Sequence, residues 1–280
     1  MKELIVPSKY DNKKINTFLF DSFDGLKQST LYKALRHKDI RINDIRISSN
    51  ETIHTGDKIK VYIVDELLFS HNDFKIIYED ENILVVDKLS GIEVVGENSL
   101  TSDIQRQYSS CMPCHRLDRN TTGLVLFAKN DEALEILFEK FKNHEIKKYY
   151  KCRVYGIPNI KHARLKAYLF KDSNKSQVYI SDSFKKGYKE IITEYKVLSS
   201  NIKENTSTLE VLLHTGRTHQ IRAHLAHIGY PIIGDGKYGI NEINKRFNSK
   251  TQELCAYKLV FDFSLDGGIL EYLNKKIIER

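Results

Sequence analysis

The chain carries, at positions 115–129, the stretch HRLDRNTTGLVLFAK, in which one acid stands between two arginines and a polar turn leads into an apolar run. Guanidinium groups beside Asp118 in the sequence favour the charged form of its carboxylate. The turn ends in a glycine, and the apolar run after it is typical of a buried strand. We therefore expect Asp118 at the edge of a rigid element, where a side chain is held in place yet reachable by a substrate. A salt-bridged surface loop is the alternative that this stretch alone leaves open.

Length and charge narrow the class of protein. At 280 residues, the chain is long enough for one large core or two domains. Its 44 Lys and Arg residues exceed its 37 Asp and Glu residues, and the formal net charge of +7 suits a polyanionic partner such as RNA. The first residues show no secretory signal, and no apolar run approaches the length of a membrane span. We expect a cytoplasmic protein without membrane association, and a monomer.

Cysteines and histidines raise the question of a metal site. Cys111 and Cys114 have the spacing of half a zinc site or of a redox pair, but no second pair completes it. We therefore predict reduced, structural thiols. Four histidines at positions 214, 219, 224 and 227 are spaced by five, five and three residues, which places them on no single strand face. We predict that these histidines form hydrogen bonds, and that the protein has no metal and no cofactor.

Residues 1–64 have the pattern of a small basic module, with 12 Lys and Arg residues against 8 Asp and Glu residues. Apolar spacing predicts one helix over 15–23, and Ser29 is placed to cap a second helix. A hairpin with an Asn-Asp turn and a strand over 58–64 follow. The second helix and the turn after it carry a candidate phosphate-contacting patch, for which an ordinary solvated face is the alternative: Lys33, Arg36, Lys38, Arg41 and Arg46.

The pattern of residues 1–64 resembles the S-four-type RNA-binding domain, most specifically over 40–64. This resemblance implies a module that grips structured RNA. Residues 65–72 have the composition of a linker, and residues 73–280 have the pattern of one continuous domain.

The second domain is rich in predicted strands. An amphipathic helix is predicted after Asn130, with Leu134, Leu137, Phe138 and Phe141 on its inner face. The lysine-rich segment 158–189 is predicted to be either a mobile insertion that touches RNA or a plain surface loop. Few helices separate the strands, so we predict an α+β class, with a mixed, mostly antiparallel sheet and a small α+β module in front of it. The strand-like runs are Phe74–Tyr78, Ile83–Lys88, Gly123–Ala128, Lys147–Tyr155, Glu190–Leu198, Leu209–His214 and Leu254–Phe263.

Six motifs follow one another along this domain. They are DENILVVDKLSG at 80–91, the stretch at 115–129, KYYKCRVYG at 148–156, HTGRTHQIRAHL at 214–225, GYPIIGDGKYG at 229–239 and LCAYKLVF at 254–261. Together they resemble the RluA-type pseudouridine synthases, and with the basic module in front they resemble the members that modify ribosomal RNA. The resemblance implies an isomerase that converts uridine to pseudouridine, with large-subunit ribosomal RNA as the favoured substrate and transfer RNA as the alternative.

The resemblance also implies roles for single residues. Asp118 would be the catalytic carboxylate, and Arg222, in a Gln-Ile-Arg strand, would pair with it. The carboxylate could attack the anomeric carbon as a nucleophile or take a proton from the neighbouring sugar carbon, and the sequence leaves both routes open. Tyr150 would stack on the uracil, while Tyr149 would point to the opposite face of the strand. Arg116 would enter the helix that the target base leaves, or would hold a phosphate.

Two other classes of function stay open on the sequence. One is a ribosome-associated RNA-binding protein without catalysis, and the other is a metal-dependent RNA hydrolase.

Three residues depart from the family pattern. Leu89 stands where the family has a proline, so a less rigid loop is expected there, Cys255 stands where it has a histidine, and His144 falls near an arginine position. We expect these departures to affect the choice of RNA rather than the chemistry.

Overall fold

The computed structural model describes residues 1–68 and 74–280, and the chain divides into two compact units, Met1–Asp73 and Phe74–Arg280. In these described ranges, no helix combines the length and the apolar character that crossing a bilayer requires.

The N-terminal unit is a small α+β module. A four-stranded sheet has the order β1-β6-β3-β4, and β2 pairs separately with β5. Its elements are β1 (Lys2–Ile5), β2 (Lys13–Lys14), α1 (Ile15–Ser22), α2 (Gln28–His37), β3 (Ile40–Ile42), β4 (Ile45–Ile47), β5 (Thr52–Ile53), β6 (Lys58–Val61) and α3 (Asp65–Leu68), with a 3-10 turn at Ser8–Tyr10.

The apolar spacing in this unit predicts its core correctly. The inner stripes of α1 and α2 are buried together with the inner faces of the strands, because these helices can exclude their apolar sides from water only against the sheet. The β3–β4 hairpin turns at Asn43 and Asp44, both with positive φ, as a two-residue hairpin turn requires. The prediction for Ser29 is wrong: α2 already begins at Gln28, and its N-cap residue Lys27 makes no side-chain cap.

The first part of the predicted linker 65–72 is a helical turn. Asp65–Leu68 forms α3, and Leu68 is fully buried in the core of the N-terminal unit, which explains why these residues do not behave as a linker. Positions 69–72 lie outside the described residues.

The second unit is built on one large sheet. Its strand order is β13-β12-β14-β15-β11-β16-β10-β8-β7, with β9 on β10 and β17 on β16. The elements are β7 (Phe74–Glu79), β8 (Ile83–Lys88), α4 (Leu100–Gln105), β9 (Met112–Pro113), β10 (Thr122–Ala128), α5 (Asp131–Lys142), β11 (Ile146–Tyr155), β12 (His162–Asp172), β13 (Gln177–Ser181), β14 (Lys189–Asn201), β15 (Thr206–Leu213), α6 (Gln220–His227), α7 (Asn241–Arg246), β16 (Leu254–Phe261) and β17 (Ile277–Glu279), with a 3-10 turn at Gly268–Leu273.

The sheet is antiparallel except where β10 runs parallel to β16. The predicted α+β class with a mixed, mostly antiparallel sheet is therefore confirmed. Gly123 marks the parallel contact: its φ is +109°, and an added Cβ would lie 2.1 Å from the carbonyl oxygen of Ala256. Only glycine lets the two backbones approach this closely, and this contact fixes the start of β10 directly after the segment that carries Asp118.

Three local predictions in this unit are wrong. The segment 158–189 contains the ordered hairpin β12–β13, because its apolar residues Ala167, Leu169 and Val178 alternate with more exposed residues and are buried together. On α5, Phe138 is 51% exposed rather than buried. The Gln-Ile-Arg motif belongs to helix α6 and not to a strand.

Candidate active site

Asp118 lies in the turn between β9 and β10. The strand pair β9–β10 brings the preceding segment alongside β10, and the ring Nε2 of His115 accepts a hydrogen bond from the backbone N–H of Leu126 at 3.1 Å. Leu117 is buried in the core, and the N–H of Thr121 donates to the carbonyl of Asp118 at 3.0 Å. The acid is thus held on both sides by the scaffold, as the sequence predicts for an element's edge.

Lys88 fixes the far side of this turn. Its side chain is fully buried, and Nζ donates to the carbonyls of Leu89, Ile92 and Arg119 at 2.8, 2.8 and 2.9 Å. Burial lowers the pKa of Lys88 to about 8, while the charge of Asp118 acts in the opposite direction. Lys88 therefore joins two carbonyls of the loop that has Leu89 in place of proline to one carbonyl of the Asp118 turn.

The guanidinium of Arg222 joins two carboxylates. Nη1 donates to Oδ2 of Asp118 at 2.9 Å, and Nε and Nη2 donate to the two oxygens of Asp235 at 2.7 and 2.9 Å. The Asp235 side chain is completely buried, whereas that of Asp118 is 24% exposed. The fork geometry of arginine suits such a bidentate pair, so Asp235 aims the guanidinium at the more accessible acid.

Burial and pairing act against each other in this network. Burial would raise the pKa of Asp235, but the hydrogen bonds and charge of Arg222 bring it below its usual range. Burial would likewise lower the pKa of Arg222, and its two carboxylate partners raise it instead. Both groups are therefore charged at neutral pH, as a buried network of this kind requires for its stability.

Helix α6 carries Arg222, and its first turn is anchored by Gln220. The amide of Gln220 donates to the Ile192 carbonyl and to the Thr193 hydroxyl, at 3.1 and 3.0 Å. Its side-chain oxygen accepts hydrogen bonds from the Thr215 hydroxyl and from the Arg217 N–H. The loop before α6 is thereby tied to β14.

Two recesses, of about 340 and 440 Å³, share a wall that contains Asp118 and Arg222. Tyr150 is buried and lines the smaller recess. Burial raises the pKa of its hydroxyl, and the charge of Asp118 raises it further. Tyr149 does not line this recess and instead has Lys258 over its ring at 4.4 Å. The structure therefore brings Asp118, Tyr150 and Arg222 into one site.

The arginines next to Asp118 in the sequence do not pair with it. Arg119 donates from Nε to the carbonyl of Gly91 at 2.9 Å, and Arg116 is exposed and lines both recesses. Within residues 1–68 and 74–280, the ion-pair partner of Asp118 is Arg222. The idea that the flanking guanidinium groups hold the acid is thus wrong, because the backbone of the turn points them away from its carboxylate.

The four histidines of the carboxyl-terminal motifs have separate partners. His214 contacts Glu194, His219 shares a hydrogen bond with the Tyr238 hydroxyl, His224 with the Thr193 hydroxyl, and His227 contacts Asp182. Cys111, Cys114 and Cys152 are buried free thiols. In the described part of the chain, no three His, Cys, Asp or Glu side chains converge as metal ligands.

The basic patch of the N-terminal unit centres on the β3–β4 hairpin. Arg41 and Arg46 are direct cross-strand partners, and Arg41 also lies opposite Lys60. Lys60 is paired with Asp44 and Glu3, but among the described residues neither arginine has an ion pair. Arg41 lies over the ring of Tyr62 at 4.9 Å, and its buried Nε has no hydrogen-bond partner in the described ranges. The remaining predicted members are exposed on α2 or directly after it: Lys33, Arg36 and Lys38.

The sequence of the second unit matches a family of known proteins. A family model described as RNA pseudouridylate synthase covers residues 82–227, which include the Asp118 turn, β11 and α6. The chain belongs to the RNA pseudouridine synthase family.

Individual relatives agree with this family. An uncharacterized RNA pseudouridine synthase of Mycoplasma genitalium is 34% identical, with 92% of this chain and 88% of the relative covered. The ribosomal large subunit pseudouridine synthase C of Buchnera aphidicola subsp. Acyrthosiphon pisum is 32% identical, with 94% of this chain and 93% of the relative covered. The human RNA pseudouridylate synthase domain containing 1 has the same fold, with a TM-score of 0.60 at 22% identity over 70% of this chain and 82% of that protein.

Sequence reasoning on this pseudouridine synthase missed Asp235 and Lys88. Both stand in quoted motifs, at 229–239 and 80–91, but neither motif says which distant group its charge meets. Two signs were available in the sequence. Asp235 stands between two glycines, and Lys88 stands at the end of an apolar strand. Buried charges of this kind need a partner, and only the folded chain shows that Arg222 and three carbonyls supply it.

Proposed function

We propose that this RNA pseudouridine synthase isomerises specific uridines of large-subunit ribosomal RNA, with Asp118 as its catalytic carboxylate. One observation carries the proposal: Asp118 Oδ2 accepts a hydrogen bond from Arg222 Nη1 at 2.9 Å in a recess that Tyr150 also lines. Within the described residues, the other oxygen of Asp118, Oδ1, has no hydrogen-bond donor. Arg222 therefore orients the carboxylate and leaves one oxygen able to react.

The chemistry needs an ionised acid beside the ribose. The bond between N1 of uracil and C1′ of the sugar breaks, and its electron pair leaves with the base. Asp118 either bonds to C1′ as a nucleophile or takes the C2′ proton as a general base. The detached base turns, C5 bonds to C1′, the C5 proton passes to solvent and N1 gains a proton. As C5 bonds to C1′, the bond between Asp118 and C1′ breaks in the first route, and Asp118 returns the proton to C2′ in the second. Both routes restore the carboxylate, so the reaction is an isomerisation that consumes no co-reactant.

The proposed roles of the neighbouring side chains follow from their positions. Tyr150 presents a buried ring in the wall of the recess, on which an extruded uracil would stack. Arg222 and Asp235 hold the acid in place. Arg116 is exposed at the mouths of both recesses, where its guanidinium would contact the RNA next to the target nucleotide.

The ribosomal target and the role of the N-terminal unit are further parts of the proposal. Relatives that match nearly the whole chain bear the name ribosomal large subunit pseudouridine synthase C, which supports ribosomal RNA and a cytoplasmic site of action. We assign residues 1–64 to an RNA-binding module of the S-four type and residues 73–280 to catalysis. Arg41 and Arg46 support this assignment, because like charges directly across a hairpin repel each other unless an anion such as phosphate lies between them.

The test begins with a map of pseudouridines in total RNA from cells with and without this gene. We expect one or more large-subunit ribosomal positions to disappear from the map, whereas losses confined to transfer RNA would replace the ribosomal assignment. Purified protein should then release tritium from the deletion strain's RNA labelled at C5 of uracil, and excess chelator should leave this release unchanged. An unchanged map, or full inhibition by the chelator, would reject the proposal and in the second case favour a metal-dependent enzyme.

A further inference from the structure

Lys148 is a cation in the smaller recess that the mechanism above does not use. It lies on β11 two residues before Tyr150, and both side chains line the same recess. In the described ranges, its Nζ makes no hydrogen bond and no ion pair. It lies over the face of the Phe141 ring, 4.5 Å from the centroid, and its charge acts on His115, which lines the same recess. Burial lowers the pKa of Lys148 to about 8, which leaves the ammonium mostly protonated at neutral pH.

Two other cations near Asp118 differ from Lys148 in having partners. Arg222 binds two carboxylates, and Lys88 donates to three backbone carbonyls. A part-buried charge without an acceptor is costly to maintain, because desolvation is not offset by any hydrogen bond. In a recess that must take up a substrate, such an ammonium is an unfilled donor for a group on that substrate.

The contacts of this donor differ from those of the acid. Asp118 accepts a hydrogen bond from Arg222, whereas the ammonium of Lys148 lies over the ring of Phe141 in the same recess. A nucleotide whose ribose meets Asp118 and whose base stacks on Tyr150 directs the far edge of its uracil along the recess. The atom opposite N1 in the uracil ring is C4, so the group at that far edge is the C4 carbonyl.

We propose that Lys148 is a second catalytic cation of the site, whose ammonium donates a hydrogen bond to the O4 carbonyl oxygen of the target uracil. This inference rests on the proposed function of the same recess. When the N1–C1′ bond breaks, the electron pair on the departing base is delocalised onto its two carbonyl oxygens. The ammonium therefore binds the detached anion more strongly than the neutral base, which accelerates cleavage.

The same hydrogen bond explains two features of the reaction. Cytosine carries an amino group at C4, which is a hydrogen-bond donor and cannot accept from the ammonium. Lys148 therefore selects uracil. A half turn of uracil about its N3–C6 axis exchanges N1 with C5 and O4 with O2. The ammonium that holds O4 before the turn therefore holds O2 after it, and one fixed donor serves both the substrate and the product orientation.

The first test is Lys148→Met in the full-length protein. Its single-turnover rate of pseudouridine formation on saturating RNA should fall by about 10- to 100-fold, the effect of one charge-assisted hydrogen bond. The affinity for that RNA should stay within about twofold, since the phosphates supply most of it. The matched control is Lys151→Met, because Lys151 lies on the same strand with its ammonium over a ring, that of Tyr257 at 4.2 Å, but does not line the recess. This control should keep the wild-type rate.

The second test replaces the target uridine by 4-thiouridine, whose sulfur is a weaker acceptor. The wild-type enzyme should convert this RNA about tenfold more slowly than the uridine RNA, while Lys148→Met should convert both at similar rates. Equal wild-type rates on the two RNAs, or Lys148→Met behaving like Lys151→Met, would overturn the inference and leave the proposed function standing. A wild-type protein that forms no pseudouridine in any RNA would instead remove the proposed function itself.

Discussion

At the candidate site of the second unit, Arg222 and Asp235 form a buried ion pair, whereas the two arginines of the β3–β4 hairpin form no ion pair among the described residues. Asp235 is completely buried against Arg222, while Arg46 is exposed and Arg41 is half-buried over the Tyr62 ring, with the charge of Asp44 nearby. The difference matches two physical tasks. A reacting group must be held in one orientation, and a phosphate-binding group must remain free to exchange water for phosphate.

This comparison predicts how each unit responds to mutation. In a buried network each group depends on the others. Removal of one partner leaves an uncompensated buried charge, so its effect on the reaction rate is large. Exposed cations act nearly independently, and each contributes a modest, salt-dependent part of the affinity. Mutations in the second unit should therefore change rate with little change in RNA affinity, and mutations of the patch should do the reverse.

The largest effect is expected for Asp118→Ala. Pseudouridine formation should fall at least about 1000-fold, because the reacting carboxylate is removed, while RNA affinity stays within about threefold. Tritium release from RNA labelled at C5 of uracil measures the rate, and filter binding measures the affinity. Asp182→Ala is the control, since the Asp182 side chain is 85% exposed and lines neither recess. Activity of the Asp118 variant within about tenfold of the wild type would contradict the assignment.

The next largest effect is expected for Asp235→Asn. The amide cannot make the two charge-assisted hydrogen bonds that fix Arg222, so the guanidinium no longer orients Asp118. We expect the single-turnover rate to fall by about 100-fold, again without loss of RNA affinity. Circular dichroism and the melting temperature report whether the second unit keeps its fold. A folded variant with the wild-type rate would show that Asp235 does not position the arginine.

A smaller effect, on affinity alone, is expected for the double variant Arg41→Gln and Arg46→Gln. RNA binding should weaken by about tenfold at low salt, because the variant neutralises fewer phosphates. The slope of log affinity against log salt should become shallower by about 0.7 to 0.9 for each phosphate that the patch no longer neutralises. The rate at saturating RNA should not change. Unaltered affinity across a salt titration would leave the N-terminal unit without the RNA-binding role that we propose.

The last prediction concerns stability rather than rate or affinity, and its pH dependence comes from the second unit. Burial lowers the pKa of His115 to about 3 and that of His224 to about 4, from an unfolded value near 6.5. Between pH 6.5 and about 4 the unfolded chain therefore binds more protons than the folded chain, and stability falls as the pH falls. At pH 5 each histidine accounts for about 2 kcal/mol relative to neutral pH.

Urea unfolding at pH 7 and pH 5 checks this dependence. His224→Asn should reduce the shift of the urea midpoint between the two pH values, because one buried imidazole no longer titrates on unfolding. His37→Asn is the control from the N-terminal unit, where the imidazole is exposed. An equal reduction by both variants would show that burial of His224 is not the cause.

Local patterns predicted most of the secondary structure, since apolar periodicity reports which side of an element is buried. The strands over 83–88 and 123–128 and the helix after Asn130 are where the periodicity places them. The hairpin β12–β13 was missed because aromatic residues on its outer face, Tyr168, Phe170 and Tyr179, obscure the alternation of the buried residues on its inner face. Phe138 was misplaced because the spacing that indicates a helix does not fix the edge of its buried stripe.

The candidate site was predictable only in part. The motif around Asp118 identified the acid, and the resemblance named Tyr150 and Arg222, which do line the same recess. The same motif suggested the wrong cations, since neighbours in sequence are directed by the backbone of the turn and not by their charge. Arg119 in fact binds the carbonyl of Gly91.

The sequence by itself indicated most of the strands, the acid that we propose as catalytic and the basic character of the first module. The family resemblance implied that Arg222 meets this acid, but only the tertiary structure decided which carboxylate aims the guanidinium, and that Lys148 has no acceptor in the described residues. The physical reason is separation along the chain. Asp118 and Arg222 are 104 residues apart, and no local periodicity encodes an ion pair that depends on how a sheet and a helix pack together.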